Sequence, residues 1–218
     1  METRLRFHND LESLKNRVKV MASHTTEAFD QSMDALYERD LTKARSLIQR
    51  DEDLNQEETQ IKEEAILLIA KQQPVASDLR RLLIAIQVAS ELERMADHAK
   101  NISKSTLHIG NQHSVQVPFH IRKMYTLASE MIEIAFKAFD NEDVTLARKL
   151  AQMDDEMDEL YSNIIENLMQ QSVQSKGDYP YIMQYGFVAR YIERFADHIT
   201  NIGEQVYYLV KGESKDLS

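Results

Sequence analysis

The sequence predicts an all-α fold built as two tandem, pseudo-symmetric three-helix bundles, six helices in all, and three observations carry that expectation. Only five Gly and three Pro interrupt 218 residues rich in Ala, Leu, Ile, Met, Glu, Gln and Lys, a composition suited to long helices. Apolar residues recur in alternating steps of three and four, the period of an amphipathic helix. The string ERMADHAKNI at residues 93–102 returns as ERFADHITNI at residues 193–202, so the chain is internally duplicated with a period near one hundred residues.

The elements follow in order. Phe7, Leu11, Leu14, Val18, Met21, Thr25, Ala28 and Ser32 form a seam with two small polar members, which predicts a first helix over about 3–38. Asp40 is an N-cap residue type ahead of a second seam, Ala44, Leu47, Asp51, Leu54, Glu58, Ile61, Ala65 and Leu68, and that helix should end near Gln72 because Pro74 restricts the residue before it, while a proline in a first turn suits the start of the next helix. The third helix carries the first copy of the repeated string. GNQHSVQVP at residues 110–118 has two punctuation residues and no helical period, so it reads as a linker. A fourth helix over about 119–140 has Ile121, Met124, Leu127, Met131, Ile134 and Ala138 on its seam. Asp143 should cap the next, where TLARKLAQMD at 145–154 repeats TKARSLIQRD at 42–51 and the seam runs Ala147, Leu150, Asp154, Met157, Tyr161, Ile164 and Leu168. Lys176, Gly177, Asp178 and Pro180 break the chain before a last helix that holds the second copy and ends near Gly212. The expected units are residues 1–110 and 119–218, joined by 111–118.

Composition narrows the function. A net charge of −10 argues against nucleic-acid binding, which relies on a basic stripe. The absence of cysteine rules out disulfides, thiolate metal sites and cysteine nucleophiles. The longest apolar run, AILLIA at residues 65–70, is far too short to span a membrane, and the polar start METRLRFHND is not a signal peptide, so a cytoplasmic protein is expected.

The repeated string is mostly polar, and within it Glu93 and Asp97, like Glu193 and Asp197, lie four apart on one helix face, where like charges repel unless a cation intervenes. Leu79, Leu83, Ile86, Ser90, Glu93 and Asp97 continue one stripe, so the carboxylates should point into the bundle. On the preceding helix Asp51 with Asn55, and in the copy Asp154 with Asp158, make a second pair. Each half therefore offers two oxygen-bearing pairs on neighbouring helices. Burying unpaired carboxylates costs several kcal/mol as a rough figure, and hard, oxygen-preferring cations are one remedy. A solvated charged face, with Arg94 and Arg194 beside the glutamates, is the competing reading. His98 and His198 sit about a hundred degrees around the helix from the acids and are expected beside the site, on the surface or facing a partner, while His8, His24, His108, His113 and His120 have no duplicated counterpart and read as surface or edge residues. No histidine has a glutamate three residues before it, and no phosphate loop or assembled catalytic motif is present.

ERMADHAKNI, ERFADHITNIGE, the DEDLN and DDEMD segments at 51–55 and 154–158, and KQQPVASDLRR at 71–81 together resemble the PhoU family of phosphate-uptake regulators over almost the whole chain. The resemblance implies two three-helix bundles with metal clusters, with Asp51, Asn55, Glu93 and Asp97 as ligand candidates in one half and Asp154, Asp158, Glu193 and Asp197 in the other. Asn55 departs from the all-acidic pattern. The implied metal is iron, zinc, manganese or magnesium. The implied role is non-catalytic: a cytoplasmic homodimer that restrains the ATPase subunit of a phosphate ABC transporter and, where one exists, a phosphate-sensing histidine kinase, with at most peripheral membrane association. A metal-dependent hydrolase or oxygenase using the same acids, and a metal-free helical scaffold, remain the alternatives.

Overall fold

Seam and capping residues translate directly into elements in the computed structural model, which describes residues 2–49, 51–111, 115–174 and 176–213. α1 spans Glu2–Glu38 and buries Leu14, Val18, Met21, Thr25 and Ser32 along the predicted seam. Its two polar seam members are satisfied, one across the bundle and one locally: Thr25 Oγ1 donates to the Leu92 carbonyl at 3.3 Å and Ser32 Oγ to the Phe29 carbonyl at 2.7 Å. Asp40 then caps α2 (Leu41–Gln49), its Oδ1 accepting the Thr42 and Lys43 amides at 2.9 Å each, which satisfies donors that a helix start leaves open. Beyond Arg50, which lies outside the described residues, α3 (Asp51–Gln72) follows and buries Leu54, Ile61, Ala65 and Leu68, so that α2 and α3 together cover the span predicted for the second helix.

The turn into α4 (Ser77–Ile109) differs from the expected start at Pro74. Pro74 stays in the connection, where Gln73 before it and Ala76 two residues after it have φ of 47° and 48°, and the helix begins three residues after Pro74. Pro180, by contrast, sits in the first turn of the last helix, where its missing N–H has no intrahelical role.

The second half repeats the plan with α5 (Phe119–Asn141), α6 (Val144–Gln174) and α7 (Tyr179–Lys211). Asp143 caps α6 through the Thr145 and Leu146 amides at 2.7 and 3.3 Å, and Gly212 ends α7 in the left-handed conformation with φ 74°, as C-terminal glycines do. α1 to α4 form one bundle and α5 to α7 the other, and among the described residues no strand occurs and no helix is long and apolar enough to cross a membrane.

The bundles pack side by side, with α4 against α7 as the broadest helix contact. Phe29 of α1 stacks on Phe195 of α7 with ring centroids 4.0 Å apart, and the Tyr125 hydroxyl donates to Asp30 at 2.9 Å. Arg81 forks onto Glu142 at 2.9 and 3.2 Å, while Lys15 and Lys19 both reach Asp140. Such partly exposed ion pairs contribute little to stability and serve mainly to fix orientation. The linker carbonyl of Val115 accepts from Arg39 of the first half and from Tyr185 of the second, so the connection is held by both bundles.

Candidate metal centre

The burial stripe of α4 runs through Leu82, Ala85, Ala89, Leu92, Ala96 and Ala99, with Leu83 41% exposed. The core face is thus rotated from the Leu79–Leu83–Glu93–Asp97 row expected from sequence, and Glu93 and Asp97 lie half-buried at the edge of the bundle rather than within it. In α7 the equivalent face, Ile182, Tyr185, Ala189, Ile192, Ala196 and Ile199, has the same phase. There Glu193 is nonetheless 7% exposed. The difference comes from Arg190, whose guanidinium lies 5.6 Å from the Tyr161 ring centroid and donates to Glu193 Oε1 at 2.5 Å, covering the acid. The first half has Ser90 and Glu58 at those two positions, which supply no such cover.

The C-terminal acids act on one another. Asp154 of α6 is 9% exposed, and its Oδ1 accepts a 3.0 Å hydrogen bond from the buried Thr200 hydroxyl of α7. Burial, followed by the negative charges of Asp197, Asp158 and Asp155, pushes its carboxyl up to about 6 against the Thr200 hydrogen bond. Burial also raises Glu193 to about 7; Asp197 adds to that rise, Asp158 adds less, and Arg190 and Arg194 oppose it. Asp197 is raised as well, first by burial, with Arg194 and Arg190 opposing and Asp158 assisting. Asp158 itself is exposed at the rim. Glu193 Oε2 is buried and has no hydrogen-bond partner.

An oxygen-preferring cation fits this set. The donors are hard oxygens, their mutual repulsion disfavours full ionisation, and one buried carboxylate oxygen has no partner, a condition that is costly unless a ligand relieves it. The side chains do not already enclose an ion: among the described residues no three acidic or imidazole groups converge on one point. The four acids are electrostatic neighbours on two helices.

The N-terminal set is arranged differently. The Asp51 side chain lies outside the described residues, and Asn55 is exposed. Asp97 has the Lys100 ammonium 3.5 Å away. A cavity of about 560 Å³ opens beside this region, lined by Glu27, Asp53, Glu57 and Lys100 among others, and His24 is hydrogen-bonded to Glu57 at its edge at 2.7 Å. Sequence spacing singled out neither Asp53 nor Glu57. Their i, i+4 spacing was the available signal, but α3 carries so many acids that it did not stand apart.

The duplicated histidines meet each other. His98 and His198 stack across the α4–α7 contact with ring centroids 5.3 Å apart and planes 19° from parallel. His198 Nδ1 lies 2.7 Å from Glu91, which Asn201 also reaches at 3.1 Å. Burial raises Glu91, but those two hydrogen bonds outweigh it and hold the carboxyl below its ordinary value. Burial first, then the charges of His198, Arg194 and Arg190, lowers His98 to about 4. Of the unpaired histidines, His113 lies outside the described residues.

Comparison with known proteins bears on the family and the fold. The family model described as the PhoU domain matches twice, at residues 18–106 and 121–206. The chain is 30% identical over 217 residues to a Clostridium acetobutylicum phosphate-specific transport system accessory protein PhoU homolog, with 99% of each chain covered. It is 32% identical to an Aquifex aeolicus homolog of the same name, covering 96% of this chain and 95% of that one. Among solved structures, the phosphate transport system regulatory protein PhoU from Streptococcus pneumoniae superposes with a TM-score of 0.90 at 28% identity, covering 96% of this chain and 99% of that one. With a family model matched to both halves and relatives aligned from end to end, the chain belongs to the PhoU family.

Proposed function

We propose that this protein is a non-enzymatic, cytoplasmic regulator of phosphate uptake and phosphate-starvation signalling. It acts by docking on the ATPase subunit of a phosphate ABC transporter, on a phosphate-sensing histidine kinase, or on both, and it does so as a homodimer. Residues 1–110 and 119–218 are its two working units, with 111–118 between them. The observation that carries the reading is the end-to-end match to relatives named as accessory proteins of the phosphate-specific transport system. The surface supports docking as the mode of action. Ile66 and Leu83 of the first half and their counterparts Met169 and Met183 of the second are all exposed, so each bundle presents apolar side chains at matching places, a feature associated with partner binding.

In this reading Asp154, Asp158, Glu193 and Asp197 would hold a metal ion, as would Asp51, Asn55, Glu93 and Asp97 in the other half, with iron, manganese, zinc or magnesium as the suited ions. The ion would supply positive charge between neighbouring helices. What the chain itself does is bring the acids together on rigid helices, exclude water from Glu193 through Arg190 and Tyr161, and orient Asp154 through Thr200.

The test is a deletion strain assayed for phosphate uptake and starvation-gene expression in phosphate-rich and phosphate-poor medium. Derepressed uptake in rich medium, reversed by the parent gene, is expected. Behaviour identical to the parent strain in both media would refute the regulatory reading. Turnover of phosphate esters by the metal-loaded protein would point instead to a hydrolase on the same acids.

A further inference from the structure

The two halves put different residues at the position one turn beyond the second acid of the repeated string. In α7 that residue is Thr200, and its hydroxyl reaches across to Asp154 of the neighbouring helix at 3.0 Å. This position therefore faces the gap between the two acid-bearing helices. In α4 the same position is Lys100. Its ammonium lies 3.5 Å from Asp97, and its side chain lines the cavity that Asp53 and Glu57 of α3 also border.

A lysine here carries a fixed positive charge into the space where the other half has only a hydroxyl. Including the undescribed Asp51 by residue type, the N-terminal set holds three carboxylates, one amide and this ammonium, whereas the C-terminal set holds four carboxylates. One difference works the other way: Arg190 of the C-terminal half is Ser90 in the N-terminal half. Arg190 engages Glu193 from one turn before it, on Oε1, and leaves the buried Oε2 without a partner. Its guanidinium also meets the Tyr161 ring of α6, so Arg190 bridges the two acid-bearing helices at the level of Glu193 and not at the Thr200–Asp154 contact.

We propose that Lys100 is a resident cation of the N-terminal acidic set, occupying with its own charge the place a metal ion takes in the C-terminal half, so that metal fills the C-terminal half first. This inference rests on the metal-site reading of the acids given above. The physical basis is competition: two positive charges a few ångströms apart repel strongly where water is partly excluded, and a carboxylate already paired with an ammonium attracts a second cation less.

The test uses the full chain and Mn²⁺ alone, followed by equilibrium dialysis, in two backgrounds that isolate the sets. Glu193→Ala with Asp197→Ala leaves the N-terminal set, and Glu93→Ala with Asp97→Ala leaves the C-terminal set. In the first background Lys100→Met should tighten Mn²⁺ binding by about tenfold or more, whereas Lys100→Arg, which keeps the charge, should leave it within about twofold. In the second background Thr200→Lys should weaken binding by a similar factor. Thr200 is buried, so if that variant does not fold the Lys100 pair of variants decides alone. Binding at the C-terminal set with no tightening from Lys100→Met, or equal tightening from Lys100→Arg, would overturn the role of Lys100 while leaving the metal reading intact. No Mn²⁺ binding to the parent at all would overturn both.

Discussion

The N-terminal and C-terminal bundles share one plan but close it differently at the same helix contact. In the second half Gly203 of α7 lies so near α6 that a Cβ there would stand 2.8 Å from Leu150 Cδ1 and 3.3 Å from the Ala147 carbonyl. In the first half the corresponding residues are Ser103 and Leu47, and Leu47 borders the open cavity beside Lys100. The contrast shows what duplication leaves free to change. The N-cap aspartates and the core stripe are held in both copies, while a few side chains decide whether the acid-bearing helices close together, as at Gly203, or leave a cavity, as beside Leu47.

The contact that binds the halves should be the most sensitive to change. Phe29 is fully buried and stacked on Phe195, so Phe29→Ala should destabilise the protein by about 3–5 kcal/mol in chemical denaturation. A single shared unfolding transition in the parent should separate into two if this stack couples the bundles. A loss under about 1 kcal/mol would show that the halves are stable independently of it.

Crowding at Gly203 gives the next effect. Gly203→Val should cost about 2–3 kcal/mol through overpacking against Leu150 and the Ala147 carbonyl, while Ser103→Ala in the matching place should change stability by less than about 1 kcal/mol. Equal effects at both positions would mean that the closure of the two halves does not differ in the way described.

A pH titration of the metal-free protein should expose the C-terminal acids. Asp154 is raised to about 6 and Glu193 to about 7 in the folded chain, above their values when unfolded. Their contribution is fully present below about pH 4 and is lost as pH rises through about 6 to 7. Metal-free protein should therefore lose on the order of 5 kcal/mol between pH 4 and 8 from this source. Asp154→Asn should flatten the slope, and the equivalent Asp51→Asn should alter it less. A parent whose stability does not fall over that interval would contradict the picture of mutually repelling acids.

The smallest effects should be equal in the two halves. Asp40→Ala and Asp143→Ala each remove one N-cap, and each should cost about 1 kcal/mol. Unequal losses would show that the copies differ in helix initiation as well as at the acidic sets.

Sequence periodicity resolved the fold nearly to the residue, because seams, N-cap aspartates and the Gly212 stop are local features that a helix reads without help from distant residues. It resolved the site less well. A three-four repeat defines a helix face only to within about one residue, and the choice between Leu82 and Leu83 as the core row depends on how the neighbouring helices α1, α3 and α7 pack on α4, which no local pattern encodes. The same is true of the His98–His198 stack. Duplication in register was a signal that the two rings occupy equivalent places in their halves, but their contact depends on α4 packing against α7. Lys100 carries no signal of its own in the sequence, because duplication marks the residues that the repeated string keeps and Lys100 is one that it changes.

Apportioning bound metal between the halves tests the asymmetry most directly. Purified protein given one equivalent of Mn²⁺ would be analysed for bound metal beside the Glu93→Ala/Asp97→Ala and Glu193→Ala/Asp197→Ala variants. The first variant should retain the bound equivalent and the second should lose most of it. Loss in the first variant with retention in the second would contradict the assignment of the C-terminal half as the metal-loading half.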